Sequence, residues 1–129
     1  MIIEVSPQLR VPRSYKKFAA LMAHCLTKLK IRSKTSSHSL LTVVKNPVQD
    51  HLPLGIKIVG TSCKAELKPM REYVKELSPG IPKSIAFVVG AVSVGNPGME
   101  NDYVESSISI ASCGLSAACV CTKICYAYE

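Results

Sequence analysis

Apolar residues recur at spacings of three and four along an otherwise polar and basic segment that begins after Ser14. Serine is a favoured residue at a helix N-cap, because its side-chain oxygen can accept a hydrogen bond from a free backbone N–H. The pattern therefore predicts an amphipathic helix over 15–30. Its apolar face would be built from Phe18, Leu21, Met22, Cys25, Leu26 and Leu29.

Short continuous apolar runs elsewhere in the chain predict strands, at 2–5, 56–59, 85–89 and 108–110. The run at 40–44 fits either a short strand or a short helix, and the polar, basic segment 31–39 predicts a mobile loop. A second amphipathic helix is expected after Pro69, where a proline suits the first turn, and a third is expected to begin near Leu115.

Strands that alternate with helices predict an α/β layered domain with a mainly parallel sheet. We expect one domain over residues 1–129, with Ile2–Val5 as a central parallel strand. Such a strand at the very start of the sequence leaves a sheet edge exposed. The pattern therefore favours a domain that is incomplete at its N-terminus.

Small residues follow three of the predicted strands. Gly60-Thr61-Ser62 follows the second run, Gly90 ends the third, and a small-residue loop follows Ile110. In open α/β sheets ligands bind at such strand ends, where loops expose backbone groups without side-chain bulk. The stretch 87–118 thus predicts a ligand pocket, although glycines also serve simple turns.

The net charge of +7 adds a second expectation, because the basic surplus lies mainly between Arg10 and Lys45. Two prolines hold the segment around Arg10 and Arg13 extended, and Lys17 falls on the first turn of the predicted helix. A helix N-terminus with nearby cations can hold phosphates. These residues therefore indicate either a polyanion-binding cluster or ordinary solvated charges.

Other chemistry is less well supported by the sequence. Six cysteines occur, but their crowding into a predicted helix argues against a secreted disulfide framework, and their spacing is not that of common zinc sites, so we expect buried free thiols and no metal. Asp50 and His51 could form a base with its orienting carboxylate, or could cap and solvate a turn. No apolar segment is long enough to span a bilayer and no signal-like start is present, so the expectation is a soluble, unprocessed, intracellular protein without a membrane partner.

Four segments resemble successive blocks of the small-subunit rRNA pseudouridine N1-methyltransferases, a family of SPOUT knotted methyltransferases that act in ribosome biogenesis. They are IIEVSPQLRVPRSYKKF, LLTVVKNPVQDHLPLGIKIVGTS, FVVGAVSVG and SISIASCGLSAACVCTKICYAYE. The most specific parts are V-x-KNPV-x-DH-x-P and R-x-x-R on a proline-bearing loop. The resemblance covers nearly the whole chain and implies a SPOUT-like fold with a C-terminal trefoil knot.

The resemblance also implies ligands and residues. S-adenosylmethionine would be held in the knot, small-subunit rRNA would be gripped by Arg10, Arg13 and Lys17, and the protein would form homodimers. A eukaryotic protein of this kind would act in the nucleolus of the nucleus, and any other in the cytoplasm. The implied cofactor-binding residues are Thr61, Gly90, Gly95, Ile110, Ala111, Ser112, Cys113, Gly114 and Leu115.

The implied reaction is methylation, in which N1 of a pseudouridine attacks the methyl carbon of the cofactor. No residue stands out as the base, so the catalytic residues are unknown. Family members carry further segments before Ile2 and after Glu129, and a proline where this chain has Gly114. The alternative hypotheses are therefore a non-catalytic rRNA-binding or assembly protein and a non-functional fragment of such an enzyme.

Overall fold

The computed structural model describes residues 1–77, 84–92, 95–96, 98 and 101–129. The chain divides into two compact units, Met1–His51 and Leu52–Glu129. None of the helices described has the length and apolarity needed to cross a membrane. The α/β class expected from the pattern is confirmed, with the strands distributed over two three-stranded sheets.

The first unit is one helix packed on an antiparallel sheet. Its elements are β1 (Ile2–Val5), α1 (Tyr15–Lys28), β2 (Lys30–Arg32) and β3 (Ser39–Val44), followed by a 3₁₀ turn at Val48–His51. The strand order is β1-β3-β2. Cys25 of α1 and Leu41 of β3 are the buried residues of this unit, which places its small core between the helix and the sheet.

The structure corrects two expectations for this unit and decides between the two alternatives for a third segment. Ile2–Val5 is an edge strand antiparallel to β3, with Ile2 opposite Val44, and it is not a central parallel strand. An apolar run indicates that a strand is buried but not whether it is parallel or antiparallel to its neighbour. The sequence pattern could therefore not distinguish a central parallel strand from an antiparallel edge strand. β2 begins the segment expected to be a loop, and the ambiguous run at 40–44 is a strand.

The second unit contains the expected parallel sheet. Its elements are β4 (Lys57–Leu67), α2 (Met70–Leu77), β5 (Ile85–Val88), β6 (Ser106–Ser109) and α3 (Ala117–Tyr128). The strand order is β5-β4-β6, and both pairings are parallel. α2 and α3 pack against each other, and the core cluster includes the buried residues Val59, Met70, Tyr73 and Ile108.

β4 is longer than predicted, because it does not stop at Gly60. Thr61 pairs with Ile108, and after an irregularity Glu66 pairs with the same residue and Leu67 with Ser109. The residues between, Ser62–Ala65, belong to neither ladder register. The strand therefore leaves the sheet and returns to it, and the apolar pattern did not predict this return because Lys64 and Glu66 interrupt it.

Backbone also lies against backbone in this unit, at Gly60 and Gly98. A Cβ atom added to Gly60 would collide with the carbonyl of Gly98 and lie 2.9 Å from Cγ1 of Val104. A Cβ added to Gly98 would collide with the carbonyl of Thr61. Both glycines are buried, so only a residue without a side chain fits at either position.

Replacing either glycine by alanine should therefore destabilise the second unit. We expect Gly60→Ala and Gly98→Ala each to lower the free energy of unfolding by about 1–3 kcal/mol or more, because the backbone segments must separate to admit a methyl group. Urea denaturation followed by circular dichroism measures the change.

Gly114→Ala is the matched control, since a Cβ at Gly114 meets nothing within 4 Å. This variant should stay within about 0.5 kcal/mol of the wild type or be slightly more stable. Equal stability of all three variants would contradict the close approach at Gly60 and Gly98.

Candidate functional site

A cavity of about 320 Å³ opens in the second unit, where β5 and β6 end and β4 leaves the sheet. One wall is the excursion of β4, the unpaired residues 62–65. A second wall is formed by Val89 and Gly90, which follow β5, and a third is the loop from Ile110 to Leu115 that leads from β6 into α3. Carboxyl ends of adjacent parallel strands meet at one edge of a sheet, which is why these loops converge. The size lies in the range of small-molecule sites.

Hydrogen bonds fix the walls of the cavity. Thr61 Oγ1 donates to the carbonyl of Val88 at 2.9 Å and so ties β4 to β5. Ser109 Oγ donates to the carbonyl of Ala111 at 2.8 Å, which shapes the start of the third wall. α3 begins behind this wall, where Ser116 Oγ accepts from the backbone N–H of Cys119 at 3.3 Å.

The excursion of β4 is held from both sides. Ser62 Oγ accepts from the backbone N–H of Lys64 at 3.1 Å and from Nδ2 of Asn96 at 2.8 Å. Asn96 also lines the cavity, so this bond joins the wall made by β4 to the segment that follows β5. Ser107 Oγ donates to the carbonyl of Gly98 at 2.6 Å, which anchors that segment beside β6.

The structure brings together most of the residues expected to bind a cofactor. Eight of the nine line the cavity, and Ser112 is the exception. Ser112 is exposed on the same loop, beside two residues that do face the cavity. The eight lining residues are Thr61, Gly90, Gly95, Ile110, Ala111, Cys113, Gly114 and Leu115.

Sequence reasoning missed the contribution of β4 beyond Thr61. Ser62, Cys63 and Lys64 all line the cavity, because the strand bulges outwards there and does not end. Asn96 was also missed, since its polar amide in a loop gave no signal distinct from solvation. The one available hint was the pair of small hydroxyl residues Thr61 and Ser62 directly after an apolar strand.

The residues expected to bind RNA lie in the first unit. Arg10 and Arg13 are exposed on the segment before α1, and Lys17 is exposed on its first turn. Among the residues described, none of the three has an acidic side chain within 4.0 Å of its charged group. Their charges are therefore not neutralised by neighbours in this part of the chain.

Charge is distributed very unevenly between the two units. Met1–His51 carries nine Lys and Arg against two acidic residues, which equals the whole net charge of +7, whereas Leu52–Glu129 carries seven of each. The candidate pocket thus lies in a neutral unit. The candidate anion-binding residues lie in a strongly basic one.

His51 does not act as the partner of Asp50. Its Nε2 lies 2.8 Å from the backbone carbonyl oxygen of Lys45, across the turn that contains Pro47. Both side chains are exposed on the 3₁₀ turn. Of the two interpretations, the geometry supports the structural one, in which His51 stabilises a turn.

The six cysteines are free, as expected, but their predicted burial is wrong for most of them. Cys25 is buried, Cys119 is partly exposed, and the other four are exposed: Cys63, Cys113, Cys121 and Cys125. On α3 the residues that pack against the core are Ile124 and Ala127, which leaves Cys121 and Cys125 on the solvent side. No group of three or more potential ligand side chains able to hold a metal ion occurs within the described ranges.

Comparison with known proteins gives the family context of this site. The family model described as EMG1/NEP1 methyltransferase matches residues 1–129. Ribosomal RNA small subunit methyltransferase NEP1 of Homo sapiens is 43% identical over 129 residues, which is 100% of this chain and 50% of that protein. The NEP1 of Candida albicans is 40% identical over 129 residues, covering 100% of this chain and 48% of its own.

A solved structure shares the fold. The crystal structure of Archaeoglobus fulgidus Nep1 bound to S-adenosylhomocysteine matches with a TM-score of 0.75 at 18% identity, over 98% of this chain and 56% of that one. This chain therefore spans about half the length of the relatives it matches. Because the family model covers every residue, the chain belongs to the EMG1/NEP1 methyltransferase family.

Proposed function

We propose that this chain binds S-adenosylmethionine in the cavity of its second unit and methylates N1 of a pseudouridine in small-subunit rRNA, as part of small-subunit biogenesis. The observation that carries the proposal is the cavity beside the ends of β5 and β6 and the excursion of β4, lined by eight residues that the family resemblance assigns to the cofactor. The relatives' names support rRNA as substrate.

The residues of the cavity suit such a cofactor. Apolar side chains of Val89, Ile110 and Leu115 can pack against an adenine ring, and the glycines leave backbone amides accessible to hydrogen-bond its edge. The cofactor supplies an electrophilic methyl group, so the chain needs to hold, orient and shield it. The close approach of Gly98 to Gly60 supports the proposal of a knotted path around this pocket.

The basic first unit is the proposed RNA-binding part. Arg10 and Arg13 precede α1 and Lys17 lies on its first turn, where free backbone amides can add to their attraction for phosphate. We further propose that the two units act as one domain in a homodimer. Exposed apolar side chains on α1, including Tyr15 at 84% exposure, support a protein interface on this helix. Nucleolar action is proposed from the fungal and human relatives.

A non-catalytic RNA-binding role is the second candidate, and one observation favours it. No aspartate, glutamate or histidine occurs among the described residues that line the cavity. The described lining thus offers no carboxylate or imidazole to take the proton from N1.

Ligand binding can be tested by protection of cysteines from alkylation. N-ethylmaleimide should modify Cys63 and Cys113 in the free protein, and saturating S-adenosylhomocysteine should slow both reactions at least about tenfold by occupying the cavity they line. Peptide mass spectrometry gives the rate at each cysteine.

The other cysteines are internal controls for this measurement. Cys121 and Cys125 are exposed outside the cavity and should react equally with and without ligand, whereas buried Cys25 should react slowly in both cases. Uniform protection of all the exposed thiols would indicate a global change in stability. Absence of protection at Cys63 and Cys113 would contradict the proposed cofactor site.

RNA binding can be tested by its salt dependence. Replacing Arg10, Arg13 and Lys17 by alanine should reduce the slope of log K against log salt concentration by roughly two to three, because about three phosphate contacts are lost. Fluorescence anisotropy with a labelled rRNA hairpin measures the slope. The charge-matched control Lys68→Ala, Lys75→Ala and Lys123→Ala, in the neutral unit, should change it much less; equal slopes for the two triple variants would refute the assigned cluster.

Catalysis separates the two candidate functions. Transfer of a labelled methyl group to a hairpin that contains pseudouridine, and not to the same hairpin with uridine, is the result expected of the enzyme. Uridine offers no N1–H, because its N1 carries the ribose. A chain that binds the hairpin and S-adenosylhomocysteine but transfers no label has the non-catalytic role.

A further inference from the structure

Lys64 is the one charged residue among the described residues that line the cavity. The other described lining residues are apolar or polar but uncharged. A single cation beside apolar walls creates a positive potential that water screens less well than on an open surface. The cavity therefore favours a ligand that places a negatively charged group near Lys64.

Two of the three hydroxyl groups among the described lining residues already donate within the protein, and Lys64 adds a charged donor. The hydrogen of Thr61 Oγ1 is donated to the carbonyl of Val88, and that of Ser109 Oγ to the carbonyl of Ala111. Both bonds lie within the protein wall. An ammonium group carries three donors and no acceptor, so Lys64 can supply charge and hydrogen bonds together.

The backbone of Lys64 is held in place while its side chain remains unpaired within the described residues. Its N–H donates to Ser62 Oγ, which in turn accepts from Asn96, so the excursion of β4 presents Lys64 at a defined position. The acidic residue next along the strand, Glu66, lies 3.9 Å from Lys68. No acidic side chain within that part of the chain lies within 4.0 Å of the Lys64 ammonium.

The proposed cofactor has two chemically different ends, a neutral adenosine and an amino acid that bears a carboxylate. We infer that Lys64 binds this carboxylate and makes the cavity select the complete cofactor over adenosine thioethers that lack the amino-acid group. The inference rests on the proposed function. Because Lys64 is exposed, its contribution is expected to be modest, a factor of about two to five in affinity.

Two ligands separate this role from general packing. S-adenosylhomocysteine carries the carboxylate, and 5′-methylthioadenosine has the same adenosine thioether without it. Isothermal titration of the wild type and of Lys64→Gln should show about two- to fivefold weaker binding of S-adenosylhomocysteine by the variant, with unchanged binding of 5′-methylthioadenosine. The difference should shrink at high ionic strength, because salt screens an exposed pair.

Two further variants serve as controls. Lys64→Arg keeps the charge and should retain most of the preference for S-adenosylhomocysteine. Lys68→Gln removes a nearby lysine that does not line the cavity and should leave both affinities unchanged. Circular dichroism checks that each variant has the secondary structure of the wild type.

The remaining outcomes each overturn the inference. Equal weakening for both ligands would make Lys64 a packing residue, and tighter binding of S-adenosylhomocysteine would place it near the ligand's amino group. Lower rRNA affinity with unchanged cofactor affinity would assign it to an RNA phosphate. If the wild type binds neither compound, the proposed cofactor itself is refuted. If the wild type binds both compounds but Lys64→Gln does not selectively weaken S-adenosylhomocysteine binding, only the role of Lys64 is refuted.

Discussion

The contact of backbone with backbone at Gly60 and Gly98 is the constraint on which the second unit depends. Gly98 can lie against β4 only because neither position carries a side chain. That approach places Asn96, two residues earlier, within hydrogen-bonding distance of Ser62. The hydrogen bonds that Ser62 Oγ accepts hold the excursion of β4 in place, and this excursion forms one wall of the cavity. A steric condition in the sheet thus helps to shape a cavity several residues away.

The two units divide the physical requirements of the proposed reaction. A polyanionic substrate needs a positive surface, and the first unit carries the whole net charge. A small zwitterionic cofactor needs shape, hydrogen bonds and a well-placed charge, and the neutral second unit provides a cavity whose described lining includes Lys64. The many cations that attract RNA are therefore not required among the residues that line the pocket.

Local pattern predicted the elements better than their pairing. The helix beginning at Tyr15, the parallel pairing of β4 with β5, and the convergence of small-residue loops all follow from spacing, burial and glycine positions. The antiparallel partner of Ile2–Val5 and the return of β4 after Ala65 do not, because strand direction and register depend on distant residues. The place of Lys64 in the cavity could not be predicted for the same reason, because it depends on the excursion of β4. The exposure of Cys121 and Cys125 depends on which face of α3 packs against the core.

The excursion of β4 also bears on local stability. Residues 62–65 belong to neither ladder, while Thr61 on one side and Glu66 on the other remain paired with β6. Such a segment can open without unfolding the sheet, so its amide hydrogens should exchange with solvent at a lower free energy than those of Ile58 or Val59. A ligand resting on this segment would have to order it, and part of its binding free energy would appear as slower exchange there. The wall of the cavity is thus the part of the sheet whose order depends most on what the cavity holds.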